Sequence, residues 1–464
     1  MTLLKGLEIN NFKGFSEVKN KIEFAIPNGS LGSGITFIVG PNNSGKTTVF
    51  EALMKALSGN AQFYESDFHK FKSPKIVISQ VEGEHNEDVI LTKAERGSSV
   101  QVSGKLELSN HDFTFLEAFR HWDDRFGGEF DFNNLNHSHL TRYRPRTFQK
   151  AEGIGDVLSH LTTSEDARLK FDSLLKILMP EFETWEVVQT DADNPREVMY
   201  TTTNGIRHRV KYLGSGTNNL FYVALKLSQV PEGSIFLFDE PENSLHPQVQ
   251  KKLFEILLDM SKTSQIILCT HSPYFIDWKS FQNGAKLVRL IKSSDGVCEV
   301  YQLEDIQQYE RVMNASSDIQ KPQQLDLVAK ELFFSKGVVF LEGAEDKSVF
   351  SQYFLQNVNE PIYFDFFGYG VGGADNMEAY LQMAVDLNIK AAVILDADRV
   401  DLCKELKRKF PECLIKTIEA DDISRDKNGT PGLVTYSNGE VAVREEYRKG
   451  FEALVQKIVD YFKV

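Results

Sequence analysis

The sequence predicts two successive α/β domains joined by a polar connector, and three observations carry that expectation. First, short apolar runs rich in β-branched and aromatic residues, Ile35–Val39, Ser234–Phe238 and Gln265–Cys269, are separated by helical stretches. Strands alternating with helices imply a mostly parallel sheet. Second, the stretch from Gln302 to Gln324 is polar and has no apolar period, as a connector would be. Third, the alternation restarts after it. Gly337–Leu341, Ile362–Phe367 and Ala391–Leu395 read as strands, a helix is expected around Asn376–Leu387, and Glu445–Val464 forms a final amphipathic helix. The expected division is 1–305, a linker 306–330 and a smaller domain 331–464.

Bulk composition narrows the class. The chain has 464 residues, 41% of them hydrophobic, and a formal net charge of −14. That length supplies material for more than one core. No run approaches the roughly 20 apolar residues needed to span a bilayer, and Met1–Asn10 has no secretory core, so the expected location is the cytoplasm, with no membrane partner. Cys269, Cys298, Cys403 and Cys413 form no C-x-x-C pair, which argues against a zinc site or a disulfide framework. The acidic balance argues against gripping nucleic acid with the whole surface, while a local basic groove stays open. The stretch from Glu82 to His208 is less regular. Within it His139–Lys150 carries three Arg, one Lys and no acid, and reads either as a solvated loop or as a phosphate-backbone contact.

The first domain contains "GPNNSGKTT", comprising Gly40, Pro41, Asn42, Asn43, Ser44, Gly45, Lys46, Thr47 and Thr48. It matches G-x-x-x-x-G-K-[ST], after a strand and before a helix, as that motif requires. Backbone N–H groups of such a turn and of the helix N-terminus face phosphate oxygens. Lys46 supplies charge to the β- and γ-phosphates of ATP, and the Thr47 hydroxyl suits magnesium. Further on, "SIFLFDEPENSLHP" ends a buried strand in Asp239 and Glu240. An acid there binds magnesium, and its neighbour can act as base toward the attacking water. The third strand ends in "CTHSP", which places His271 where it can sense or polarise the γ-phosphate.

These motifs resemble the ATP-binding-cassette ATPases, in the branch of the chromosome-maintenance (SMC) and RecF proteins. "LEINNFKGF", Leu7 to Phe15, is similar to the first strand and turn of those heads. The resemblance implies an ABC-type P-loop ATPase head in which the signature motif of one subunit closes over ATP bound to another. The candidate signature is "YLGSGTNNL", Tyr212 to Leu220, with Ser215 and Gly216 offering hydroxyl and amide to the γ-phosphate. It departs from L-S-x-G, because Gly214 stands where the first Ser is expected. No heptads occur between loop and signature, so long coiled-coil arms are not expected.

In the second domain, "VVFLEGAEDKSVF" ends a strand at Glu342-Gly343 and then opens a helix, with Asp346 about one turn on. "AVILDADR" ends another strand with Asp396 and Asp398. Carboxylates gathered at two strand ends repel one another unless cations bind, and oxygen-only ligands favour magnesium or manganese. Metal held this way can activate water for phosphodiester cleavage. The pattern resembles the Toprim domain, a small Rossmann-like fold. The resemblance gives Glu342 acid–base or metal duty, makes Asp396 and Asp398 metal-binding, and matches Asp346 to an acid of the nuclease-type members. Glu419, in "KTIEADDIS", is either a further ligand or part of an acidic loop.

Cassette ATPase followed by Toprim is similar to the overcoming-lysogenization-defect (OLD) nucleases, from Leu7 to about Asp422. The resemblance implies an ATP-hydrolysing, metal-dependent endonuclease acting on DNA in bacterial anti-phage defence, as a homodimer or larger homo-oligomer. A separate defence-system partner protein stays open. Two rival readings remain: an ATP-switched DNA clamp or sensor with an inert Toprim domain, and a Toprim effector that cleaves RNA or tRNA. Topoisomerase or primase activity is disfavoured, as no tyrosine domain or zinc ribbon is evident.

Overall fold

A computed structural model describes residues 2–57, 62–82, 85–94, 99–104, 113–116, 161, 165–189, 196–210, 214–228, 231–303, 309, 327–427, 429–437 and 440–463. His139–Lys150, Tyr212 and most of the connector lie outside these residues. The chain forms two compact units, Met1–Val300 and Tyr301–Val464.

Among the described residues, the first unit contains strands β1 (Thr2–Asn10), β2 (Lys21–Glu23), β3 (Ile35–Val39), β4 (Lys75–Glu82), β5 (His85–Lys93), β6 (Val100–Ser103), β7 (Phe113–Leu116), β8 (Phe182–Gln189), β9 (Arg196–Thr202), β10 (Arg207–Arg209), β11 (Ile235–Asp239), β12 (Gln265–Cys269), β13 (Lys286–Lys292) and β14 (Cys298–Gln302), the last running across the boundary. Its helices are α1 (Lys46–Leu57), α2 (Glu165–Leu178), α3 (Ser215–Ser228), α4 (Pro247–Met260) and α5 (Trp278–Gln282).

The six-stranded sheet has the order β14-β13-β3-β12-β11-β7, with β13, β3, β12, β11 and β7 successively parallel. Its central strands β3, β11 and β12 are buried at every position, which is why they read as unbroken apolar runs rather than alternating ones. Two antiparallel sheets, β2-β1-β4-β5-β6 and β10-β9-β8, accompany it. These were not part of the parallel-sheet expectation. The alternation in β1 (Leu4, Leu7 and Ile9 buried) and in β4 (Ile76 and Ile78 buried) shows how one face meets the core. Helix α1 touches β1 and β4 on one side and β11 on the other, so one core serves both sheets. Gln265, fully buried, bonds Leu4 N, Leu4 O and Ala25 O, which satisfies its amide while stitching β12 to β1.

The second unit holds β15 (Gly337–Phe340), β16 (Asp365–Phe366), β17 (Lys390–Leu395), β18 (Leu414–Thr417), β19 (Val434–Ser437) and β20 (Glu440–Val443), with α6 (Leu327–Lys330), α7 (Ala344–Asn357), α8 (Met377–Asp386), α9 (Val400–Lys409) and α10 (Glu445–Phe462). Strands run parallel in the order β16-β15-β17-β18. The strand expected over Ile362–Phe367 shrinks to Asp365–Phe366, because Ile362 and Tyr363 are exposed rather than paired. Helix α10 contributes Leu454, Ile458 and Phe462 to this unit's core. No helix of the described residues is long and apolar enough to cross a membrane.

Candidate active sites

Strand β3 delivers the chain into the Gly40–Thr48 loop. Gly40 has φ +146° and a Cβ there would meet Leu290 O at 2.1 Å; Gly45 has φ +101° and a Cβ would meet Cys298 Sγ at 2.9 Å. Both positions therefore require glycine on sterics alone. Asn43 also lies at positive φ, +65°, a conformation Asn tolerates better than most residues.

Lys46 opens α1. Its Nζ donates to Gly40 O at 3.1 Å and Pro41 O at 3.0 Å, curling back over the loop. Burial lowers its pKa, while Cys269, Glu240, Asp239 and Glu242 pull the other way. Ser44 is 1% exposed and its Oγ has no hydrogen-bond partner. A buried, unsatisfied hydroxyl in such a loop suits a phosphate oxygen. Thr47 and Asn42 are exposed.

Asp239, 3% exposed, ends β11 opposite Cys269 of β12. Glu240 follows at φ +46°. Its Oε2 accepts from Asn243 Nδ2 at 3.0 Å, and its Oε1 lies 3.6 Å from His271 Nε2. Burial and the Lys46 charge lower the His271 pKa, with Glu240 opposing. The neighbouring strand order thus gathers Lys46, Asp239, Glu240 and His271 at the C-terminal ends of β3, β11 and β12.

Glu242 was missed by sequence reasoning. Its Oε1 accepts from Thr270 Oγ1 at 2.9 Å and from His271 N at 2.6 Å, and its buried Oε2 is unsatisfied. Burial raises its pKa. The signal was available, since Glu242 stands two residues beyond the acidic pair.

Helix α3 starts at Ser215, after Gly214. A Cβ on Gly216 would meet Ser244 O at 2.6 Å, and Asn219 Nδ2 donates to Asn243 O at 2.8 Å. The start of α3 is thereby seated on the turn that follows Glu240.

In the second unit, parallel neighbours β15 and β17 end side by side, β15 leading into Glu342 and β17 into Asp396. Glu342 Oε1 accepts from Asp396 N at 3.1 Å. Asp346 Oδ2 turns back to accept from Gly343 N at 2.8 Å, capping α7. The Gly343 backbone is crowded: a Cβ on Gly370, at φ +81°, would meet Gly343 Cα at 2.6 Å. Val371 N donates to Leu341 O and Gly373 N to Glu342 O, both at 2.9 Å. The "GYGVGG" run from Gly368 to Gly373 therefore braces the motif turn, a use of glycine that its composition could have suggested.

Electrostatics couple these acids. Asp396 is pushed up to about 8, first by burial and then by Asp346, Glu342, Asp422 and Asp398. Asp346 is raised to about 6 by burial, with Glu342 and Asp422 adding to it. Glu342 is also raised by burial. Two cations offset part of this: Arg399 Nε lies 3.5 Å from Asp398 Oδ1 and 3.9 Å from Glu342 Oε2, and Lys427 Nζ donates to Asp398 Oδ2 at 2.7 Å. Among the described residues no three His, Cys, Asp or Glu side chains already stand in a metal-holding arrangement. The donor set is all oxygen, so it fits a hard divalent cation by chemistry.

Glu419 is not brought to this cluster. It is exposed, and its carboxylate packs against Gly450 of α10, where a Cβ would meet Oε1 at 2.2 Å. The acid whose charge reaches Asp346 and Asp396 is Asp422, three residues on. Its Oδ1 is held by Ser424 N and Arg425 N, both at 2.9 Å.

Fold and sites together define a P-loop ATPase carrying a Toprim nuclease domain, a class that uses nucleotide and divalent metal. The chain belongs to the family described as AAA domain, putative AbiEii toxin, Type IV TA system, which matches residues 35–277. Residues 333–398 match the overcoming lysogenization defect protein-like TOPRIM domain. The chain is similar to endonuclease GajA of Bacillus cereus (strain HuB5-5), with 22% identity over 88% of this chain and 78% of that protein. It is also similar to Septu protein PtuA of Bacillus thuringiensis, with 22% identity over 66% of this chain and 80% of that protein. The OLD nuclease of Thermus scotoductus (strain ATCC 700910 / SA-01) is 29% identical over 35% of this chain and 30% of its own length.

Proposed function

We propose that the chain binds and hydrolyses ATP in a head spanning 1–305 and cleaves DNA with a Toprim domain spanning 331–464, in bacterial anti-phage defence. The observation that carries the reading is the pairing of β15 with β17, which sets Glu342 and Asp396 within one hydrogen bond of each other at adjacent strand ends.

In the head, Gly40–Thr48 cradle the phosphates, Lys46 leaves its carbonyl partners for the β- and γ-oxygens, and Thr47 with Asp239 holds magnesium. Glu240 takes the proton of the attacking water. His271, kept neutral, can accept or donate at the γ-phosphate. Ser215 and Gly216 complete the site of a second copy, so that the active state is a homodimer or larger homo-oligomer in the cytoplasm. In the Toprim domain, Glu342, Asp346, Asp396 and Asp398 hold magnesium or manganese, with Asp422 beside them. A divalent cation held there would supply a water of lowered pKa and positive charge for the departing oxyanion. Asp396, raised by burial and by its neighbours, would have to be deprotonated to hold the cation, and Arg399 and Lys427 balance part of the remaining charge.

The test incubates purified protein with supercoiled plasmid and magnesium or manganese, with and without ATP, beside Glu342→Ala. Nicking or linearisation that vanishes in the variant is expected, and it gives the sign of ATP control. Equal cleavage by Glu342→Ala would overturn the assignment. Cleavage of RNA alone would move the substrate class, and ATP-dependent DNA retention without product ends would leave a clamp.

A further inference from the structure

Between Asp67 and β4 the chain makes a two-residue turn whose composition contradicts its geometry. His69 and Lys72 form an antiparallel bridge, with Lys72 N donating to His69 O at 2.9 Å, so Lys70 and Phe71 are the central residues. Their φ values are +46° and +66°. A turn with two positive φ values ordinarily takes Asn or Gly, and a bulky aromatic there is a sterically costly choice. Phe71 is also 99% exposed, the most exposed large hydrophobic side chain among the described residues. The fold recovers nothing from this side chain, so packing does not explain it.

The turn is nevertheless held firmly. His69 N donates to Asn11 O at 3.0 Å, His69 Nδ1 lies 2.8 Å from Lys13 O, and the buried Lys55–Asp67 pair at 3.0 Å pins its approach to α1. A rigid base presenting a strained, exposed aromatic is a display rather than a loose loop.

Its flanks are cationic. Lys70 and Lys72 are exposed on either side, and Lys75 follows at the start of β4. Among the described residues Lys70 forms no ion pair, and Lys72 has only exposed Glu17 at 4.0 Å, a contact that solvent makes weak. Glu65 is the other exposed acid close by in sequence. In a chain of net charge −14, an aromatic set between lysines is complementary to a polyanion that carries flat rings.

We propose that the Lys70–Phe71 turn is a nucleic-acid contact, with Phe71 stacking on an unstacked base and Lys70 and Lys72 contacting flanking phosphates. Stacking requires an exposed base face, so the preferred ligand is single-stranded DNA or a frayed end rather than intact duplex. The inference deepens the DNA reading above and rests on it.

The experiment measures fluorescence anisotropy of a fluorescein-labelled oligothymidylate of about 20 nucleotides, against a matched duplex, with the full chain. Phe71→Ala is expected to weaken single-strand binding by about five- to a hundredfold, with Phe71→Trp restoring it. Lys70→Gln with Lys72→Gln should reduce the slope of log affinity against log salt by about 1.4. DNA-free ATP hydrolysis, unchanged in Phe71→Ala, reports an intact head. Wild-type affinity in Phe71→Ala, alongside normal plasmid cleavage, overturns this inference and spares the DNA reading. A wild-type chain that neither binds nor cleaves any DNA overturns both. A change in sedimentation with unchanged DNA affinity assigns the turn to self-association and overturns the proposal.

Discussion

Glu242 accepts the backbone N–H of His271 at 2.6 Å and the Thr270 hydroxyl at 2.9 Å, locking the turn after β11 to the end of β12. The bond joins the loop that carries Glu240 to His271, the residue proposed to meet the γ-phosphate. Glu242→Ala leaves a buried N–H and hydroxyl unpaired, a loss of about 1.5–3 kcal/mol for bonds to a charged group. If that loss falls on His271 placement, kcat for ATP hydrolysis drops roughly 10- to 150-fold while ATP binding changes little. Glu242→Gln keeps an acceptor and should recover most of the rate. Steady-state kinetics with equilibrium ATP binding separates the two. Equal losses in binding and turnover would mean that Glu242 only supports the fold of the loop.

The charge state of His271 offers a second check. Burial and Lys46 both disfavour the imidazolium, so the ring titrates below its ordinary value of 6.5 and is neutral at pH 7. Protonation should therefore set in only on the acid side of that value. Histidine NMR, with the resonance assigned through His271→Asn, should show a midpoint under 6.5. Lys46→Ala removes one of the disfavouring charges and should move the midpoint up. An unmoved midpoint would separate Lys46 from this site.

Lys46→Ala should also abolish ATP binding, because no other cation in the loop can replace Nζ at the phosphates. Isothermal titration would show no heat of binding. Retained hydrolysis would dismiss the whole nucleotide assignment.

How much of this was legible in the sequence depends on whether a feature is local. Ile35–Val39 and Gln265–Cys269 could be read to the residue, because a strand buried on both faces is a continuous apolar run with sharp ends. The loop after β3 was readable because its motif is contiguous in the sequence, although the atoms that exclude a Cβ at Gly40 and Gly45 come from the distant Leu290 and Cys298. The antiparallel sheet built on β1, β4 and β5 was not, since its β1–β4 pairing joins segments as far apart as Ile9 and Ile76. That Asp422 rather than Glu419 reaches the carboxylates was not legible either. Both follow β18 in one acidic run, and only the packing of α10, which places Gly450 against Glu419, decides which faces the other carboxylates.

A stability prediction follows from Lys55 and Asp67, an ion pair 3.0 Å apart with side chains 1% and 5% exposed. Lys55 also donates to Gln62 O at 2.6 Å. Desolvation lowers its pKa, so the pair survives only because each charge has its partner. Removing one partner leaves an uncompensated buried charge, and Lys55→Ala should cost about 3–5 kcal/mol. Lys55→Met with Asp67→Asn should cost less than either single change, since Asn still accepts from Tyr64 N as Asp67 does at 3.0 Å. A double-mutant cycle by chemical denaturation measures the coupling. Additive losses would show that the pair contributes nothing as a pair.

The acids at the ends of β15, β17 and β18 make the sharpest set of comparisons. Asp396 is raised to about 8 and Asp346 to about 6 because burial and like charges surround both, with Asp422 among their neighbours and Glu419 absent. Glu342→Ala and Asp396→Ala should abolish plasmid cleavage and leave ATP hydrolysis intact, since the ATP site draws on none of these residues. Asp422→Asn should lower cleavage by roughly 10- to 100-fold, the range typical of partners just outside the metal ligands. Glu419→Gln should stay near wild type, because its carboxylate is turned to α10. A magnesium titration of cleavage rate in each variant reads this directly. Weakened metal dependence in Glu419→Gln, with Asp422→Asn unaffected, would mean that the loop after β18 is arranged the other way round when metal binds.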